Sequence, residues 1–115
     1  MKNKNEILAE IKSKDDSIST VQWSLDNDIK DESKRLSYVR DLNFLKGYRN
    51  ALFDSQKNSK KQLLEIIQVL NRSIENIENF LKTEKDPLKI VEYNENLNKL
   101  KGGKDAYWWI IDQKE

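Results

Sequence analysis

Few residues in this chain could perform chemistry, because its 115 residues include no histidine and no cysteine. Without an imidazole or a thiolate, the chain lacks the usual general base and the usual zinc ligands, and it cannot form a disulfide. A serine–lysine pair could still be assembled, but no glycine-rich turn presents a serine between a strand and a helix. The sequence therefore predicts a protein that is not an enzyme and that uses no metal and no cofactor.

Acidic residues occur at metal-like spacing in two places, and neither pattern is complete. Residues 26–28 begin like a calcium loop, but the sixth position is Asp31 rather than glycine and the twelfth is Ser37 rather than glutamate. Glu75 and Glu78 lie one helical turn apart, yet no Glu-x-x-His pair accompanies them, as a di-iron bundle would require. We interpret these carboxylates as solvated helix surface.

Basic residues leave phosphate binding as the remaining chemical option. Lys46, Arg49, Lys101 and Lys104 are candidate phosphate contacts, but the 21 basic and 20 acidic residues are interleaved and leave a net charge of only +1. A nucleic-acid-binding surface is normally much more basic, so this function is less favoured than protein binding. Arg49 lies on the face of its helix that carries the leucines. A cation on this apolar face needs a carboxylate as its ion-pair partner, and Asp15 is a candidate for that partner.

The elements that would position these side chains are four helices, predicted from the spacing of the apolar residues. They extend over about 4–26, 31–55, 59–83 and 86–113, within a single all-α domain covering 1–115. The fourth helix begins at Asp86-Pro87, an acidic cap followed by a proline whose missing N–H costs nothing in the first turn.

The sequence of the four helices also contains an internal repeat, in which one helical hairpin occurs twice. Residues 30–53 match residues 85–108 at a constant offset of 55, with ten identities in 24 positions, and the preceding helices match at an offset of 56. Coincidence between two heptad-like helices would explain the shared leucines but not the shared asparagine, glycine and tyrosine positions. The sequence therefore predicts a tandemly duplicated αα-hairpin with repeats 4–57 and 59–113.

Two Gly-x-x-x-Ala segments stand at equivalent positions of helices 2 and 4, namely Gly47 with Ala51 and Gly102 with Ala106. Glycine inside a helix costs about 1 kcal/mol relative to alanine, and small residues allow two helix backbones to approach closely. We therefore predict that helices 2 and 4 cross at these four residues around a pseudo-two-fold axis. The alternative is that Gly102-Gly103 ends helix 4 and starts a loop.

Differences between the two copies indicate a partner surface. Trp109 and Ile110 replace Asp54 and Ser55 of the first copy, so a core shared by both copies does not explain them. Large aromatic residues are enriched where proteins bind partners, although aromatics at the chain end could also simply cover the bundle. The predicted partner-binding residues are Trp23, Trp108, Trp109 and Ile110.

These observations together favour a non-catalytic protein-interaction module whose partner is another protein chain, identical or foreign. Size and composition suggest a phage or mobile-element accessory protein, such as an inhibitor of a host or defence protein. The alternatives are a nucleic-acid-binding or replication-accessory protein and a purely structural homodimer. The longest apolar run, 107–111, is too short to cross a membrane, and Glu10 interrupts the first apolar run too early for a signal peptide, so we expect a cytoplasmic protein.

Overall fold

The computed structural model describes residues 1–27 and 30–112, which form an all-α fold as predicted. The α-helices of this part of the chain are α1 (Lys4–Asn27), α2 (Glu32–Asp54), α3 (Lys60–Thr83) and α4 (Pro87–Ile111), with a short 3₁₀ turn over Ser55–Lys57. The predicted end of the fourth helix at Gln113 lies outside the described residues. Among the described helices, none combines the length and apolar character needed to cross a membrane.

Short polar side chains define where the last three helices begin. Asp31 accepts a hydrogen bond from the backbone N–H of Ser33 in α2, and Asp86 accepts one from the backbone N–H of Leu88 in α4. Ser59 and Gln62 form a reciprocal capping box at the start of α3. Because the first backbone N–H groups of a helix have no partner within the helix, these caps fix the starts of the helices.

The central pair of the fold is α2 and α4, with α1 packed on α2 and α3 packed on α4. The main cluster of buried residues lies where the C-terminal halves of α2 and α4 meet the N-terminal halves of α1 and α3. The N-terminal halves of α2 and α4 contribute nothing to this cluster. Its members are Ile7, Ile11, Ala51, Leu52, Leu63, Ile67, Ala106, Tyr107, Ile110 and Ile111.

Equivalent positions of the two predicted repeats are buried alike. Leu42 and Leu97 are both buried, as are Ala51 and Ala106 at the 55-residue offset, and Ile11 is matched by the buried Ile67 at the offset of 56. Such agreement is what a duplicated hairpin would produce, and the duplication itself remains a prediction.

Candidate protein-interaction surface

The closest approach between helices is the crossing of α2 and α4 at two glycines. A Cβ atom added to Gly47 would lie 2.6 Å from the carbonyl carbon of Lys99, and one added to Gly102 would lie 2.9 Å from the carbonyl carbon of Phe44. The two contacts are equivalent, because Gly102 stands 55 positions after Gly47 and Lys99 stands 55 positions after Phe44. Helix α4 continues through Gly102 and Gly103, so a loop at this point is excluded.

The alanines of both Gly-x-x-x-Ala segments lie one turn further along. Ala51 and Ala106 are buried in the core, and a Cβ added to Gly103 would lie 3.7 Å from the Cβ of Ala51. The four residues predicted for the helix crossing are therefore gathered at the contact between the two central helices.

A cleft opens between α2 and α4 on the N-terminal side of the crossing, outside the main buried cluster. Its volume is about 270 Å³, and four residues of each helix line it. Each lining residue of α4 stands 55 positions after a lining residue of α2, as expected for a cleft on the predicted pseudo-two-fold axis. The lining pairs are Leu36 with Val91, Val39 with Asn94, Arg40 with Glu95, and Asn43 with Asn98.

Apolar side chains are left uncovered on both walls of this cleft. Leu36 is 62% exposed on the α2 wall and Val91 is 55% exposed on the α4 wall. Asn43 and Asn98 are held in the same way, since each donates its side-chain amide to the carbonyl oxygen one turn earlier, at 3.1 and 2.8 Å. The cleft thus presents an apolar pair and two anchored amide groups.

The walls of the cleft also carry opposite charges. Arg40 on α2 and Glu95 on α4 are both exposed. Neither forms an ion pair within 4.0 Å with any residue of the described ranges 1–27 and 30–112. Since the two positions are equivalent under the 55-residue offset, the cleft has a basic side and an acidic side at matching positions.

The four residues predicted to bind a partner do not form one exposed surface. Trp23 is 57% exposed on α1 and remains available for contact. Trp108 and Trp109 are half-buried against the core, and the indole N–H of Trp108 is buried with no acceptor among the residues that the structure describes. Ile110 is only 1% exposed and belongs to the core itself.

The prediction that Ile110 contacts a partner is therefore wrong, and the reason lies in its counterpart Ser55. A polar residue at this position predicts a surface site, but Ser55 is only 3% exposed. Its hydroxyl donates a 2.7 Å hydrogen bond to the carbonyl oxygen of Leu52 in the preceding turn, which satisfies it without solvent. Both copies bury this position, one with a small hydroxyl that is hydrogen-bonded and the other with a larger apolar side chain.

Trp109 is covered by the N-terminal segment of the chain. The Lys2 Nζ lies 5.1 Å from the centre of the Trp109 ring and 2.5 Å from Asp112 Oδ1, while the Lys2 backbone N–H donates to the Ile110 carbonyl at 2.7 Å. The hydrogen bond between Lys2 and Asp112 raises the pKa of the lysine and lowers the pKa of the carboxyl. This segment therefore closes the C-terminal end of α4, where Trp109 acts as part of the closure.

The candidate phosphate contacts are divided rather than gathered. Lys46 and Arg49 line a surface depression that also includes Asp15, whereas Lys101 and Lys104 do not line it. The Arg49 Nε lies 2.6 Å from Asp15 Oδ1, the pairing that the sequence suggested. The N–H is poorly aligned with the oxygen, so the contact is an ion pair rather than a hydrogen bond.

The cleft residues Leu36, Arg40, Val91 and Glu95 were not singled out from the sequence as a binding site. A signal for them was present, since Leu36 lies on the same helix face as Gly47, and its counterpart Val91 is also apolar. Within the described ranges, no group of three acidic side chains is placed to hold a metal ion. Comparison with protein-family models, with curated proteins and with solved structures finds no match to this chain.

Proposed function

We propose that this protein is a non-catalytic interaction module that binds another protein chain through the cleft between α2 and α4. The observation that carries the proposal is the exposure of Leu36 and Val91, 62% and 55%, at equivalent positions of facing walls. Paired apolar side chains left in water are unfavourable, and a partner that covers them gains the free energy of their burial.

The helix crossing supports this proposal because it forms the cleft before any partner arrives. Backbone lies directly against Gly47 and Gly102, so the separation of the two walls is fixed at the crossing rather than by flexible side chains. A site that is already formed loses little conformational entropy on binding. The arrangement of an apolar centre with Arg40 and Glu95 at its sides also resembles the anatomy of protein interfaces.

A role in a phage or mobile element, as an accessory protein or inhibitor that binds a host or defence protein, is compatible with such a module. The exposed Trp23 on α1 offers a second apolar contact surface, since tryptophan buries a large area at low entropy cost. The identity of the partner would decide between this role and the others.

A photo-crosslinking amino acid placed at position 91 tests the proposal in the native host. Position 69 on α3 provides a matched control, because Val69 is the same residue type and is 51% exposed against 55% for Val91. We expect a protein adduct from position 91, identified by mass spectrometry, and its loss when Leu36→Asp is introduced into the same chain. Circular dichroism verifies that the Leu36→Asp variant is folded.

The proposal is contradicted if position 91 gives no more adduct than position 69, or if the adduct survives Leu36→Asp in a folded protein. An adduct with nucleic acid alone would also contradict it. An adduct with either a second copy or a different protein supports it.

A further inference from the structure

We propose that the occupant of the cleft is a second copy of this chain, so that the protein forms a homodimer joined across the N-terminal halves of α2 and α4. This inference rests on the proposed function, because it names the partner of the same cleft. It is carried by the symmetry of the cleft together with the distribution of charge on its two walls.

The symmetry makes the cleft compatible in shape with its own copy. Its lining consists of four positions of α2 and the same four positions of α4 displaced by 55. The reciprocal contacts of Gly47 with Lys99 and of Gly102 with Phe44 are those expected when a half-turn relates the two helices. When two such clefts meet head-on with their pseudo-axes aligned, each wall of one copy can lie against a wall of the other. A two-fold axis perpendicular to the pseudo-axis then relates the two chains, as in most homodimers.

The charges select one arrangement of this dimer. The second copy is generated by a half-turn about an axis that is perpendicular both to the pseudo-axis and to the line from Arg40 to Glu95. This half-turn places Arg40 of each chain opposite Glu95 of the other. The same turn brings the cleft walls that carry Leu36 and Val91 against each other. The dimer therefore forms two complementary ion pairs and covers the apolar side chains of both clefts, whereas a turn about the line itself would oppose like charges.

The charges that would pair are available for this purpose. Arg40 and Glu95 are exposed and, within the described ranges, each lies beyond 4.0 Å from any opposite charge. A foreign partner would need its own matching acidic and basic sides. A second copy supplies both by symmetry.

Charge exchange tests the proposal, with association followed by analytical ultracentrifugation and by light scattering after size exclusion. The wild-type protein should show twice the chain mass of 13.6 kDa. Arg40→Glu alone makes both walls acidic and Glu95→Arg alone makes both walls basic, so each should raise the dimer dissociation constant by about tenfold or more.

Two combinations of these substitutions should restore association. An equimolar mixture of the Arg40→Glu and Glu95→Arg chains should form heterodimers, and the double variant Arg40→Glu/Glu95→Arg should form homodimers again. The matched controls are Arg72→Glu and Glu75→Arg, which reverse exposed charges on α3 outside the cleft and should leave the dissociation constant unchanged.

The proposal is overturned if the wild-type protein stays monomeric at concentrations of several hundred micromolar, or if the cleft reversals act no differently from the α3 controls. It is also overturned if the mixture of the two single variants fails to associate while both chains are folded. A monomeric wild type whose position 91 crosslinks to a different protein would refute the homodimer and leave the proposed interaction function standing.

Discussion

Replacing Gly47 by alanine should destabilise this protein, although helix propensity alone predicts the opposite. In an ordinary helix interior, exchanging glycine for alanine gains about 1 kcal/mol. Here the added Cβ would lie 2.6 Å from the carbonyl carbon of Lys99, where ordinary contact begins at 3.4 Å. The carbonyl oxygen of Lys99 would lie nearer still. Because this obstacle is backbone and cannot rotate away, α2 and α4 must separate by more than about 0.8 Å, the difference between these two distances.

The magnitude follows from two opposing contributions to the free energy of unfolding. Overpacking a well-packed contact costs about 1–3 kcal/mol, and a rigid backbone neighbour places this site near the upper end of that range. Subtracting the propensity gain of about 1 kcal/mol leaves a net loss of about 2 kcal/mol. Gly102→Ala should behave alike, since its Cβ would lie 2.9 Å from the carbonyl carbon of Phe44.

Gly103→Ala is the matched control, because it lies in the same helix next to the crossing. Its Cβ would meet the Ala51 Cβ and the Gly47 carbonyl oxygen at 3.7 Å, an ordinary contact distance. This variant should therefore keep the propensity gain and become more stable by up to about 1 kcal/mol.

Urea unfolding followed by circular dichroism measures all three variants. The double variant Gly47→Ala/Gly102→Ala should lose less than the sum of the single losses, because the first alanine already separates the helices that the second would push apart. If Gly47→Ala and Gly103→Ala stabilise the protein equally, the close crossing of α2 and α4 is refuted.

Two further predictions concern the end of α4 and its closure. Ile110→Ser should lower the free energy of unfolding by about 2–4 kcal/mol, because the side chain is 1% exposed in the core. Trp23→Ala should change the free energy of unfolding by no more than about 0.5 kcal/mol, because Trp23 is 57% exposed. Similar losses for the two variants in urea unfolding would contradict the assignment of Ile110 to the core and of Trp23 to the surface. The hydrogen bond from Lys2 holds the pKa of Asp112 below its ordinary value of 3.8, so its stabilisation is present above pH 3.8 and is lost as the pH falls through the lowered pKa. Asp112→Asn should reduce this acid-dependent loss, and an unchanged dependence of the urea midpoint on pH would show that the pair contributes nothing.

The helices could be predicted closely from the sequence because their signals are local. Asp31, Ser59 and Asp86 are side chains that cap free backbone N–H groups, and each stands directly before the helix it begins. The crossing was also predictable, since glycine is costly inside a helix and occurs at the same position, 47 and 102, in two matching helices.

The binding surface was predicted less well because exposure is decided by tertiary packing. Ser55 shows the difficulty, as a serine that bonds to its own helix can be buried as fully as the isoleucine at position 110. Leu36 in the cleft shows the opposite case, an apolar residue that is exposed. Leu36 lies on the face of α2 that carries Gly47, and only the divergence of the two helices beyond the crossing leaves this leucine uncovered.

The crossing and the cleft are two consequences of the same contact. Small residues at 47 and 102 bring the backbones of α2 and α4 together, and the buried core holds their C-terminal halves on one side of that point. In the N-terminal halves Leu42 and Leu97 are buried but lie outside that cluster, so the crossing is one determinant of the separation of Leu36 from Val91. A larger residue at either glycine would therefore change the width of the cleft as well as the stability of the fold. The spacing of the side chains that would bind a partner thus depends on residues that the partner would not contact.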